Sequence, residues 1–207
     1  MLRLYDYLDS GNGYKIRLLL TQLGAPFELH QVDIIRGESR TSAFLKMNPN
    51  GKIPVLAVDD DSYLSESNAI LFYLAENTEY LPADRLQRAH VLQWLFFEQY
   101  SHEPNIATRR FLLKHPEAVA TSADLLSQKL ELGYCALDIM ERRLESRSFL
   151  VGTRYTIADI ALFAYTHLAD EGGFDLSRYP AIQAWCNRVQ AQPGFRDFYS
   201  DWQTETD

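Results

Sequence analysis

The proline that opens Pro54-Val55-Leu56-Ala57-Val58 restricts this chain more than any other residue. Proline cannot donate to a sheet ladder, and it drives the residue before it, Ile53, into an extended conformation. The run that follows therefore reads as a short strand whose approach stays outside the ladder. Asp59-Asp60-Asp61-Ser62 is turn chemistry and Tyr63-Leu64 is a second short run, which together make a β-hairpin. Ser67-Asn68 then opens an apolar periodic segment, Ala69, Ile70, Leu71, Tyr73, Leu74, so Glu66-Ser67 stands at a helix start. The unpaired N–H groups of such a start suit a carboxylate, and an outward backbone at Ile53 suits an extended peptide added like a strand.

The segments ahead of the hairpin complete an α/β unit. Leu2 to Tyr7 reads as a strand, Asp9-Ser10-Gly11-Asn12-Gly13 as a turn, and Ile16, Leu19, Leu20 and Leu23 as a helix ended by Gly24 and Pro26. Phe27 to Val32 alternates as a second strand, which makes the first unit βαβ and its strands parallel. Ser39 to Met47 is a weaker helix. The order βαβαββα predicts a thioredoxin-like domain over residues 1–80. Periodicity pauses at Glu79-Tyr80-Leu81-Pro82-Ala83-Asp84, and strand patterns disappear beyond Arg85. Leu86 to Tyr100, interrupted near Pro104, then Ala123 to Leu144, Thr156 to Ala169 and Pro180 to Gln192 read as helices, so residues 85–207 are expected to form an all-α domain. Thr156-Ile157-Ala158-Asp159 carries a capping box ahead of an apolar run and is assigned to folding.

Composition excludes several classes. A net charge of −8 and a sequence pI near 5.1 argue against nucleic-acid binding, which wants a basic footprint. Met1-Leu2-Arg3-Leu4-Tyr5 enters a strand pattern directly, and no run approaches the roughly 18 apolar residues of a membrane helix, so a cytoplasmic protein without a membrane partner is expected. Cys135 and Cys186 lie far apart in helical patterns, the five histidines show no ligand spacing, and no metal is expected.

Asn48-Pro49-Asn50-Gly51-Lys52-Ile53-Pro54-Val55-Leu56, followed by Glu66-Ser67-Asn68-Ala69-Ile70, resembles the glutathione-binding half of the glutathione S-transferase family, in its bacterial, theta- or zeta-like serine type. The likeness extends over essentially the whole chain. It implies a cis Pro54, a backbone pairing of Ile53 with the cysteinyl unit of glutathione, acceptance of the γ-glutamyl ammonium by Glu66, and a carboxylate held at Ser67. Lys52 is a candidate for the glycine carboxylate, with Ser39 or Arg40 in the loop where relatives place a further ligand. Ser10 matches the serine that stabilises the glutathione thiolate, Asn12 is a second candidate donor, and Tyr5 and Tyr7 are the rivals because other classes use a tyrosine there. No cysteine occupies this turn, which disfavours thiol–disulfide exchange through the protein.

The resemblance further implies conjugation of glutathione to a small, apolar electrophile, a homodimer and a detoxifying role. It places the electrophile pocket against the helical half, around Phe97, Tyr100, His102, Arg109 and Phe111. A binding module on the same scaffold, and an isomerase or dehalogenase that recycles glutathione, are the alternative readings.

Overall fold

The computed structural model describes residues 1–117 and 122–203, which divide into two compact units. The first contains strands β1 (Leu2–Asp6), β2 (Phe27–Gln31), β3 (Val55–Ala57) and β4 (Tyr63–Ser65) in the order β2-β1-β3-β4. β1 and β2 are parallel, whereas β3 runs antiparallel to both β1 and β4. Helices α1 (Gly11–Gln22), α2 (Ser42–Met47) and α3 (Ser67–Leu74) complete the expected βαβαββα order. α1 and α3 pack against each other, and Leu4, Ile16, Leu19, Leu20, Val55, Leu56, Ile70 and Leu71 are buried. The apolar periodicity in the sequence is thus the inner surface of the unit.

Two readings of this unit need correction. Gly11-Asn12-Gly13 is the first turn of α1 and not part of the preceding loop. The reason is tertiary: a Cβ at Gly13 would lie 1.6 Å from Asp6 Oδ1, so the helix starts early by letting a bare backbone pass the Asp6 carboxylate. The C-terminal segment 193–203 groups with this first unit, not with the helices, which shortens the expected 85–207 domain. Tyr14 donates its hydroxyl to Arg196 O at 2.8 Å, and Phe198 and Trp202 meet the Tyr14 ring edge-on.

The second unit spans Asn77–Gln192 and holds α4 (Arg85–Phe97), α5 (Glu103–Lys114), α6 (Ala123–Leu144), α7 (Ile157–Thr166) and α8 (Pro180–Gln190). Every residue of α7 is buried, and α4, α5 and α8 all pack against it. Its start is the expected capping box: Thr156 Oγ1 accepts from Ala158 N–H, and Asp159 Oδ2 accepts from Thr156 N–H at 2.9 Å. Pro104 does not break the chain into separate pieces. A single π-type turn, Glu98–His102, joins α4 to α5, and Pro104 falls in the first turn of α5, where its missing N–H has no helical partner to lose. Among the described residues no helix is long and apolar enough to cross a membrane.

Candidate glutathione site

Strand order brings the sequence motifs together. Tyr5, near the end of β1, pairs with Val55 at the start of β3, and Val55 pairs with Ser65 at the end of β4. The Leu8–Ser10 loop, the Ile53-Pro54 step and the Glu66-Ser67 step therefore leave the sheet at one end. The Ile53-Pro54 peptide bond is cis. Among the described residues the Ile53 N–H and C=O make no backbone hydrogen bond, as an edge open to an added strand requires.

Ser10 is the N-cap residue of α1 and is nearly buried, yet its side chain caps nothing. Serine in that place ordinarily accepts from a first-turn N–H. Here its hydroxyl makes no hydrogen bond among the described residues, while its backbone is fixed by Ser10 N–H to Tyr7 O and by Tyr14 N–H to Ser10 O. The loop beneath is held by a buried ion pair. Arg17 Nε lies 3.0 Å from Asp6 Oδ2, and Arg17 also donates to Leu8 O and, at 3.5 Å, to Ser10 O. Burial drives the Asp6 carboxyl up from its ordinary range, against the pull of Arg17.

Glu66 is exposed and precedes α3 with φ 68° and ψ 110°, a conformation that side chains rarely adopt. Strain of this kind costs on the order of 1–3 kcal/mol and persists where the surroundings impose it. Ser67 is buried as the first residue of α3, where the first N–H groups lack helical acceptors. Lys52 is exposed beside Ile53. Arg40 lies across the Asn50-Gly51 turn and donates to Asn50 O, while Ser39 is buried, so Arg40 and not Ser39 shares the surface with Lys52.

Asn12 is drawn to the other half of the site. Its Oδ1 accepts from Lys15 Nζ at 2.7 Å and from Ser67 Oγ at 3.2 Å, which ties the start of α1 to the start of α3. Sequence reasoning passed over Lys15; the available signal was a lysine one helical turn after Asn12, set with Arg17 in a run that is apolar apart from these two cations. Tyr5 stacks on His30 and packs on the Val32, Phe44 and Val55 cluster, in keeping with a core aromatic.

In the helical unit Arg109 and its neighbour Arg110 are committed to structure. Arg109 donates to Gly172 O and Leu126 O, and Arg110 Nε lies 2.7 Å from Glu171 Oε2. His102 is buried against Thr166 Oγ1 at 2.9 Å, whereas Tyr100 is exposed.

Residues 1–76 match the glutathione S-transferase N-terminal domain, and residues 92–193 match the C-terminal domain of the same family. The chain belongs to the glutathione S-transferase family. A crystal structure of a glutathione S-transferase from Pseudomonas fluorescens is 52% identical, with a TM-score of 0.93 and coverage of 96% of this chain and 98% of that one. The disulfide-bond oxidoreductase YfcG of Escherichia coli is 32% identical over 93% of this chain and 92% of its own. The glutathione transferase URE2P8 from Phanerochaete chrysosporium, solved with oxidized glutathione, is 25% identical with a TM-score of 0.81, over 93% of this chain and 90% of its own. Family membership accounts for the glutathione S-transferase fold and supports glutathione as the ligand.

Proposed function

We propose that this glutathione S-transferase family member is a glutathione transferase that stabilises the glutathione thiolate and adds it to an electrophilic carbon of a small apolar molecule. The Ser10 hydroxyl, uncommitted at the start of α1, carries this reading. An ordinary thiol has a pKa of about 8.5, and lowering it by about two units needs roughly 2.7 kcal/mol of preference for the anion. One hydrogen bond to a charged group supplies about 1.5–3 kcal/mol and a helix N-terminus about 0.3–1, so no general base is required. Asn12 is the second donor to the sulfur. Ile53 pairs with the cysteinyl unit next to cis Pro54, Glu66 accepts the γ-glutamyl ammonium, the α3 N–H groups at Ser67 take the α-carboxylate, and Lys52 with Arg40 faces the glycine carboxylate.

Ser10→Ala is expected to lower turnover roughly 10- to 100-fold while leaving glutathione affinity within a few-fold, because the lost bond is strongest to the anion. Glu66→Ala is expected to raise the glutathione Kd about tenfold or more. Titration calorimetry and conjugation of a chlorinated nitroarene measure both. Unchanged turnover in the first variant, or an unchanged Kd in the second, contradicts the assignment. By family likeness the protein is a cytoplasmic homodimer with a detoxifying role; sedimentation as a monomer at micromolar concentration counts against the dimer.

A second reading has support in the likeness to YfcG, named as a disulfide-bond oxidoreductase. No cysteine lies in the site, Cys135 and Cys186 being on α6 and α8, and burial pushes the Cys186 thiol up to about 12. Disulfide reduction would then use glutathione alone: two glutathione thiols are oxidised to glutathione disulfide while the substrate disulfide is reduced to two thiols. Reduction of a small disulfide without nitroarene conjugation favours this reading. Glutathione binding with neither activity favours a binding module.

A further inference from the structure

Lys15 is fully buried, and its ammonium group reaches two residues of the glutathione site. It donates to Asn12 Oδ1 at 2.7 Å and to Ser67 Oγ at 3.2 Å, while Ser67 Oγ lies 3.2 Å from the same Asn12 oxygen and donates to it. Two consequences follow from donor and acceptor counting. With Asn12 Oδ1 taking an ammonium and a hydroxyl, the Asn12 amide nitrogen is turned away from that pair and its N–H donors face elsewhere. With its proton given to Asn12, the Ser67 hydroxyl is not the donor to a carboxylate at the start of α3. Backbone N–H groups fill that role, with the charge of Lys15 directly behind them. Burial weakens the solvent screening of that charge, so it acts on an anion held at the start of α3 more strongly than a surface lysine would.

We infer that Lys15 is a positioning residue for the glutathione site: its ammonium orients the Asn12 amide toward the sulfur and supplies positive charge to the γ-glutamyl carboxylate. This rests on the glutathione reading proposed above. It also couples the γ-glutamyl end of the tripeptide to its central thiol through one cation, so that a change at that carboxylate is felt at the sulfur.

The test uses Lys15→Met, which keeps the length of the side chain and removes the charge. Wild type and variant are titrated calorimetrically with glutathione and with its analogue in which the γ-glutamyl α-carboxylate is a carboxamide. The pH at which the bound thiol ionises is followed by its ultraviolet absorbance. The expected result is an affinity for glutathione about tenfold weaker, an affinity for the carboxamide analogue nearly unchanged, and a thiol that ionises about one pH unit higher. A role confined to folding would lower the melting temperature and weaken both ligands alike, which overturns the inference, as does an unmoved thiol pKa. Should Lys15→Met not fold, Asn12→Asp neutralises the same ammonium in place with an isosteric side chain. It is expected to show the same carboxylate-selective loss and raised thiol pKa, and the absence of both overturns the inference. Failure of the wild type to bind glutathione removes the underlying reading and this inference with it; binding by the wild type with no difference in either variant removes the inference alone.

Discussion

Replacing Asp159 with alanine withdraws one carboxylate from four donors. Leu150 N–H and the Trp185 indole N–H donate to Oδ1, each at 2.9 Å, while Thr156 N–H at 2.9 Å and the Thr156 hydroxyl at 3.1 Å donate to Oδ2. The hydroxyl can rotate to another acceptor, but the three N–H groups stay behind without a partner. Each orphaned buried donor costs about 1–3 kcal/mol. The costs do not add fully, because the donors share one acceptor. Part is also returned, since burial already drives this carboxyl up to about 6 and so penalises the anion. A net loss of about 4 kcal/mol is expected, a large share of the roughly 5–15 kcal/mol that holds a domain folded. Thr156→Ala removes the cap bond from Ala158 N–H and the hydroxyl's own bond to Asp159 Oδ2, leaves the carboxylate its three N–H donors, and should cost about 1–2 kcal/mol. Urea unfolding at neutral pH, followed by tryptophan fluorescence, measures both, with Trp185 reporting on the carboxylate directly. If Asp159→Ala unfolds within about 1 kcal/mol of wild type, or if Thr156→Ala costs as much as Asp159→Ala, the carboxylate is not the hub of this helix start.

Gly13→Ala is expected to destabilise by about 3–5 kcal/mol, because the new methyl group would displace the Asp6 carboxylate and leave Arg17 buried without its anion; a melting temperature close to that of wild type contradicts this. For pH, burial drives Asp159 from 3.8 to about 6 and Asp6 in the same direction. The folded chain therefore holds these protons where the unfolded chain has released them. The stabilisation is fully present below about pH 4 and is lost as pH rises through about 6, on the order of 3 kcal/mol for one such group. Melting temperatures measured across that interval should fall less steeply in Asp159→Asn than in wild type, and identical slopes would remove Asp159 as the titrating group.

What the sequence made legible was local. Pro54 ahead of a short apolar run, acidic turn residues after it, and a threonine with an aspartate three positions later each specify their own structure through nearby backbone chemistry. The hairpin and the start of α7 formed where those residues stand. What the sequence concealed depends on distant partners. Gly11-Asn12-Gly13 has turn composition, and only the Asp6 carboxylate packed against Gly13 explains why it is helical. Pro104 has the look of a helix break, yet a π-type turn just ahead of it lets the backbone continue. The motif residues Ser10, Ile53, Pro54, Glu66 and Ser67 stand in separate stretches of the sequence, and the reason they share one end of the sheet lies in the pairing of Val55 with both Tyr5 and Ser65.

Lys15 and Arg17 show why buried cations were the hardest feature to read. Both sit in α1 among Ile16, Leu18, Leu19 and Leu20, both are fully buried, and composition alone would place such residues at the surface. Their tasks differ. Arg17 holds the chain from below, through Asp6, Leu8 O and Ser10 O, and its guanidinium lies 4.9 Å from the centre of the Trp202 ring. Lys15 reaches toward α3 through Asn12 and Ser67. The charge of Arg17 is largely offset by Asp6, so its task at the N-terminal segment of α1 is to fix the loop, while Lys15 and the helix dipole supply the positive potential there. Segment 193–203 takes part in the same arrangement, since Tyr14, Phe198 and Trp202 surround the Arg17 guanidinium. That contact explains why the tail groups with the α/β unit, and it makes the tail part of the support for the Ser10 loop, although it lies more than a hundred and eighty positions further along the chain.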